Sequence, residues 1–176
     1  PAAEQRQFQA YLRSNLDSRL ADESLSLTRR FAMLNEVVRD VLGETFRQGD
    51  IDQTVSQTSL LGQRTVDLIC RKDSVASELR GVLYHDYHTF THSANVAYYC
   101  TMLAKELGIT DKETLNRIAT GALLHDLGKL EISEAILTKN GKLSDTEFAI
   151  IKHHPTTGFL KLCHRDDLEF GQLMMV

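Results

Sequence analysis

The sequence predicts an all-α protein. Apolar residues recur at helical spacing along most of the chain, no segment shows the period-two alternation of strands, and no proline occurs between residues 2 and 154. The 176 residues suffice for one domain, or for a compact domain preceded by a smaller helical part. We therefore predict an N-terminal helical region over residues 1–80 and a helical bundle over residues 81–176.

The N-terminal region shows a clear apolar stripe and one clear helix boundary. The stripe comprises Phe31, Leu34, Val38, Val41 and Leu42. Gly49 interrupts the pattern, and Asp50 with Gln53 three residues later predicts the start of the next helix, which carries Ile51, Val55 and Leu61. That helix should end near residues 70–74. A regulatory input, a dimerisation surface and a cap on the core are three open roles for this region.

Two helices then lead to a polar pair. The first predicted apolar face comprises His92, Val96, Tyr99 or Cys100, Leu103 and Leu107. It should end before Gly108, because glycine is favoured just past a helix end. Thr110 and Glu113 predict a capping box at the start of the second helix. Its inward face comprises Leu115, Ile118, Ala122 and then His125 or Asp126, so the polar pair should face the core.

The remaining chain predicts a connector and two shorter helices. Residues 129–143 resemble a connector with tight turns, bounded by Gly128 and by Asn140-Gly141. Ser144 and Glu147 form a third capping-box pattern. We expect the helix that follows to end at His154, because the next residue is proline and disfavours helical geometry in the residue before it. The last predicted helix carries Phe159, Leu160 and Leu162.

Composition excludes several classes of protein. No apolar run reaches the roughly 20 residues that cross a bilayer, and the sequence "PAAEQRQFQAYL" lacks the apolar core of a signal peptide. Three widely spaced cysteines indicate neither a disulfide framework nor a thiolate zinc site. A formal net charge of -4 argues against binding long nucleic acid. These features predict a cytoplasmic protein without membrane insertion.

Four polar residues on these apolar faces predict a metal site. His92, His125, Asp126 and His154 come from three helices and should converge in one core. An ionised carboxylate in a dry interior costs several kcal/mol and requires a positive partner, which a metal ion would supply. Imidazole and carboxylate ligands suit divalent iron, manganese or zinc, and metal pairs commonly hydrolyse phosphoesters. The alternative is ordinary structural roles, as hydrogen-bonded core histidines and a capping or salt-bridged aspartate.

The segment "LLHDLGK" resembles the signature of the HD superfamily of metal-dependent phosphohydrolases. The flanking segments "THSANVA" and "ILTKNGKLSDTEFAIIKHHPTTG" resemble the HD-GYP subfamily of cyclic di-GMP phosphodiesterases, and the similarity covers about residues 84–164. The resemblance implies an HD-type helical bundle that hydrolyses cyclic di-GMP or a related cyclic dinucleotide. It implies two or three divalent ions, iron or manganese, bound by His92, His125, Asp126 and His154. Asp126 would bridge two ions and Lys129 would contact a substrate phosphate, which makes both catalytic.

His88 departs from the subfamily pattern, in which tyrosine or glutamate is usual. It precedes His92 by four residues, so it is either an additional metal ligand or a partly exposed loop residue. We expect His85, Asp86 and His153 to face solvent. The subfamily's later histidine pair, further aspartate ligand and Gly-Tyr-Pro loop would follow Val176. We therefore expect either a natural chain that continues or a shortened relative with an incomplete site.

Two other functions compete with cyclic dinucleotide hydrolysis. The first is an HD phosphohydrolase that acts on another nucleotide or phosphate ester. The second is a non-catalytic sensor or scaffold that binds metal or a cyclic dinucleotide. Turnover distinguishes the enzymes from the sensor, and substrate profiling distinguishes the two enzymes. The sequence also leaves open whether the protein is a homodimer.

Overall fold

The computed structural model describes residues 2–71 and 89–176. Within them the regular structure is helical and contains no strand, as the sequence predicts. The helices are α1 Ala2–Ala21, α2 Leu27–Gln48, α3 Ile51–Cys70, α4 Thr89–Glu106, α5 Lys112–Leu124, a 3-10 helix η1 Leu127–Glu131, α6 Glu134–Leu137, α7 Asp145–Lys152, α8 His154–Leu162 and α9 Phe170–Leu173. No helix in the two described ranges combines the length and apolar character needed to cross a bilayer.

The N-terminal helices begin and end where the sequence indicates. Gly49 terminates α2 with a left-handed φ of 68°, which glycine adopts without steric cost. Asp50 caps α3, because its carboxylate accepts a hydrogen bond from the backbone N–H of Gln53. All five residues of the predicted stripe on α2 are buried. The helical boundaries and the inward face of α2 are therefore confirmed.

The N-terminal helices share their hydrophobic core with the helices that follow. One cluster of buried residues contains side chains from α1, α2 and α3 together with side chains from α4 and α5. Phe31 of α2 packs edge to face on Tyr98 of α4, with ring centroids 5.3 Å apart. Both rings are fully buried. The division into regions 1–80 and 81–176 stays a prediction.

The predicted inward face of α4 is only partly confirmed, because Val96 and Cys100 pack against the core while three larger residues do not. Tyr99, Leu103 and Leu107 are 54%, 60% and 74% exposed. The buried face consists instead of small and polar residues with one tyrosine, namely Ser93, Ala94, Ala97, Tyr98, Thr101 and Ala104. Small side chains let α4 approach its neighbours closely, so packing overrides the preference for burying the largest apolar side chains. His92 shares the predicted stripe, and its own side chain is 52% exposed.

Two predicted helix boundaries need correction. The cap of α5 is Asp111, whose carboxylate accepts from the N–H of Thr114, and the helix begins at Lys112, not at Thr110. His154 does not end a helix, because α7 stops at Lys152 and His154 is the first residue of α8. Pro155 lies in the first turn of α8, where its missing N–H costs no hydrogen bond. The capping box of Ser144 and Glu147 is confirmed.

The predicted connector contains two short helices. The 3-10 helix η1 follows Asp126 directly, and α6 follows after Ser133. A positive φ of 115° at Gly141 makes the turn before α7. The helix η1 packs against α8. This contact brings Asp126, the residue before η1, close to His154, the first residue of α8.

Candidate metal centre

Asp126 is the centre of the site. Its side chain is 2% exposed and lies at the junction between α5 and η1. Its Oδ2 lies 3.4 Å from Nε2 of His125 and 3.9 Å from Nε2 of His92, while its Oδ1 lies 3.4 Å from Nε2 of His154. The structure therefore brings together all four residues that the sequence singles out, and each carboxylate oxygen faces at least one imidazole.

Two of the imidazoles are fixed by backbone carbonyls at helix ends. Nδ1 of His125 lies 2.7 Å from the carbonyl oxygen of Ala122, and Nδ1 of His154 lies 2.6 Å from that of Ile151. Carbonyls in the last turn of a helix lack an intrahelical donor, and histidine near a C-terminus can supply one. Because a carbonyl only accepts, both Nδ1 atoms carry the proton. In the neutral ring, Nε2 then presents its lone pair to Asp126.

This arrangement fits a divalent cation. A lone pair on Nε2 and an anionic oxygen at 3.4 Å cannot hydrogen-bond each other, whereas an ion between them attracts both. Two ligand atoms that bind one ion at about 2.1 Å lie about 3.0 to 3.5 Å apart at octahedral or tetrahedral angles. The candidate ligand atoms of His92, His125 and Asp126 all lie within 4.8 Å of one another. These three residues can hold a metal ion with little rearrangement.

His92 occupies a different environment. Its side chain is 52% exposed, and its ring meets that of His125 edge to face with centroids 5.2 Å apart. Partial burial lowers the pKa of His92 below its ordinary value of 6.5. The charge of Asp126 opposes this shift, while His125 and Lys129 reinforce it. A lowered pKa favours the neutral imidazole, which is the form that binds metal.

Lys129 also contacts the central carboxylate. Its Nζ donates to Oδ2 of Asp126 at 2.7 Å, and its side chain is 25% exposed. The lysine is therefore held at the carboxylate and is not freely solvated. The ion pair offsets the carboxylate charge, as a purely structural role for Asp126 would require. It does not explain why three imidazoles face the same carboxylate.

The other sequence candidates comprise three residues that the structure does not describe and one that it does. His85, Asp86 and His88 lie outside the described residues, so the proposed ligand role of His88 stays a prediction. His153 is exposed, as expected. Sequence reasoning missed the carbonyls of Ala122 and Ile151 as supports for the ring orientation. The available signal was a histidine three residues after a carbonyl in the last turn of each helix.

Comparisons with known proteins agree with this site. The HD-domain family model matches residues 89–174. A cyclic di-GMP phosphodiesterase of Pseudomonas aeruginosa is 27% identical over 143 residues, which are 81% of this chain and 33% of the relative. The 3'3'-cGAMP-specific phosphodiesterase 1 of Vibrio cholerae is 47% identical over 84 residues, which are 48% of this chain and 18% of the relative. The chain thus spans a third or less of these relatives.

The same fold occurs in a solved structure. An HDG"Y"P protein from Bdellovibrio bacteriovorus matches with a TM-score of 0.76 at 20% sequence identity. The match covers 98% of this chain and 57% of the other, so the N-terminal helices are included in the shared fold. The HD-domain match and these relatives together show that residues 89–174 form an HD domain, which fits the HD-GYP type.

Proposed function

We propose that the protein is a metal-dependent phosphodiesterase that hydrolyses cyclic di-GMP or a related cyclic dinucleotide. The observation that supports this function best is the buried carboxylate of Asp126, which faces imidazole nitrogens from three separate helices. The HD-domain match and the substrates named for the two relatives support the same chemistry. The metals of this proposal are two divalent ions, iron or manganese, with His88 as a candidate ligand for a third.

Each residue has a defined role in this proposal. His92 and His125 would hold an ion together with Oδ2 of Asp126, and His154 would hold one together with Oδ1. The carbonyls of Ala122 and Ile151 hold the His125 and His154 rings in the tautomer with a free Nε2. The ligands are therefore oriented before a metal binds.

The reaction needs a nucleophile and neutralisation of phosphate charge. Bound divalent ions supply Lewis acidity, which lowers the pKa of water and offsets negative charge on phosphoryl oxygens. Lys129 supplies a further cation beside the carboxylate and contacts a phosphate oxygen of the substrate. Its ammonium lies 2.7 Å from Oδ2 of Asp126, so it positions the scissile phosphodiester next to the ligand cluster.

The substitution Asp126→Asn tests this function. It keeps the shape of the side chain and removes the charge, so we expect a loss of metal affinity and of turnover of more than about 100-fold. The matched control is Asp111→Asn at the other end of α5, where the amide oxygen can still accept from Thr114. Metal content is measured on anaerobically purified protein, and turnover is measured with cyclic di-GMP and 3'3'-cGAMP. Full activity in Asp126→Asn would refute the assignment.

The same assay separates the competing functions. Hydrolysis of either cyclic dinucleotide supports the proposal. Hydrolysis of mononucleotides or simple phosphate esters alone assigns the other HD activity. Binding of a cyclic dinucleotide without product, in metal-loaded protein, assigns a sensor. Each outcome needs the metal content of the same sample, because turnover without metal would contradict all three readings.

A further inference from the structure

Gly128 makes an unusually close backbone contact beside the candidate centre. It lies in η1, two residues after Asp126, and is buried. A Cβ built on Gly128 would lie 1.9 Å from the carbonyl oxygen of His154 and 2.7 Å from the backbone nitrogen of Gly158. These two atoms are the hydrogen-bonded pair of the first turn of α8. The backbone of η1 therefore rests directly on the first turn of α8.

The contact requires space, not an unusual backbone conformation. In the described ranges, the glycines with positive φ are Gly49, Gly108 and Gly141, and Gly128 is not one of them. Alanine could thus adopt the backbone conformation of Gly128. Its methyl group would instead force η1 and α8 apart by roughly 1.5 Å, because carbon and oxygen atoms pack at about 3.5 Å. The obstacle is backbone on both sides and cannot be relieved by turning a side chain.

The spacing between η1 and α8 determines one side of the site. Asp126 immediately precedes η1, and His154 is the first residue of α8. We propose that Gly128 is a positioning residue, whose missing side chain sets the 3.4 Å separation between Oδ1 of Asp126 and Nε2 of His154. This inference rests on the proposed function for its importance, but the geometric part stands on the backbone contact alone.

Gly158 on the other side of the contact should matter less. A Cβ on Gly158 would meet the Cγ1 atom of Val176 at 2.7 Å and the backbone nitrogen of Gly128 at 3.2 Å. The first obstacle is a side chain that can turn away, and the second requires a shift of only a few tenths of an ångström. Alanine at 158 should therefore separate η1 from α8 in the same direction as alanine at 128, but by a smaller distance.

The test compares Gly128→Ala and Gly158→Ala in the full chain. Gly171→Ala is the control, because nothing lies within 4 Å of its Cβ position. Crystal structures of the metal-free variants give the Asp126–His154 distance, and calorimetric titration with Mn²⁺ gives affinity. We expect Gly128→Ala to lengthen this distance by roughly 1 Å and to weaken Mn²⁺ binding about 10- to 100-fold, as loss of a ligand-orienting contact does. The distance from Asp126 to His125 should stay unchanged.

A double-mutant comparison distinguishes positioning from general destabilisation. If Gly128 acts through His154, Gly128→Ala should cause little further loss of Mn²⁺ affinity in a His154→Ala background. An undiminished loss in that background, or an unchanged Asp126–His154 distance, would overturn the proposal. If Gly128→Ala does not fold, Gly158→Ala decides the question. It must lengthen the Asp126–His154 distance by less than the change expected for Gly128→Ala and must weaken Mn²⁺ binding a few-fold. Failure of the unaltered protein to bind either Mn²⁺ or Fe²⁺ would refute the proposed function, while the distances would still test the role of Gly128.

Discussion

The imidazoles of His125 and His154 are held more firmly beside the Asp126 carboxylate than the imidazole of His92. His125 and His154 are 22% and 20% exposed, and each donates its Nδ1 proton to a carbonyl at the end of a helix. His92 is 52% exposed and lies in the first turn of α4. His125 and His154 are therefore oriented by the fold itself, whereas His92 borders open solvent.

The difference has a thermodynamic consequence. A ring that is already held in its binding orientation loses little conformational entropy when a metal binds. A half-exposed ring must give up more side-chain freedom and more hydration. We therefore expect the imidazoles of His125 and His154 to contribute more to metal affinity than that of His92, although all three lie within 4 Å of Asp126.

The largest expected effect is the loss of Mn²⁺ affinity in His154→Ala and His125→Ala, compared with the smaller loss in His92→Ala. We expect the first two to weaken Mn²⁺ binding at least about 100-fold and His92→Ala to weaken it about 10-fold, because held ligands contribute more. Calorimetric titration at one pH and ionic strength measures all three. His153→Ala is the matched control, since His153 adjoins His154 but is exposed. Should His92→Ala be the most damaging of the set, the distinction between held and open ligands would be wrong.

Much of the fold follows from local sequence signals. Capping by Asp50 and by the Ser144–Glu147 pair, and the helix ends at Gly49 and Gly108, were all predictable because they depend on residues within one turn of each other. The convergence of the polar residues was also predictable. Periodicity places His125 and Asp126 at the inner end of α5, and the family motif links them to His92 and His154.

The errors arise where tertiary packing decides. The face of α4 that is buried carries alanine, serine and threonine, because close approach of neighbouring helices favours small side chains over Leu103 and Leu107. Periodicity identifies a stripe but not the direction in which it points. The support of Gly128 by α8 is equally invisible in sequence, since it joins residues about thirty positions apart. Proline at 155 gave an ambiguous signal, because it disfavours the residue before it and also suits a first helical turn.

A smaller effect concerns the pH dependence of stability that His92 contributes. Because burial lowers the pKa of His92 below 6.5, the unfolded chain binds its proton more readily than the folded chain. The contribution of His92 to stability is thus fully present above pH 6.5 and is lost as pH falls below that value toward the lower pKa of the folded state. His92→Asn removes this titration. Thermal unfolding of both proteins with a chelator, between pH 8 and about 5, should show the unaltered protein losing stability relative to the variant on acidification. A difference that does not change with pH would contradict the assigned environment.

The smallest effect concerns Glu147 in the first turn of α7, the helix whose Ile151 carbonyl accepts from His154. Glu147 accepts from the N–H of Ser144 and from Nζ of Lys139, and these contacts lower its pKa to about 2. Glu147→Gln should slightly reduce the melting temperature at neutral pH. This difference is present above the ordinary pKa of 4.5 and disappears as pH falls toward 2, because the carboxylate is then protonated.

Metal affinity in Glu147→Gln tests whether the held half of the site depends on local contacts. Ile151, which accepts from His154, lies at the opposite end of α7 from Glu147. If His154 is positioned by that carbonyl and by the contact of η1 with α8, Mn²⁺ affinity should stay within about twofold of the unaltered protein, as for ordinary surface substitutions. A larger loss would mean that the whole of α7, and not only its last turn, fixes the orientation of the His154 ring. The contact of Glu147 with Lys139 in the connector would then also help to hold this ligand.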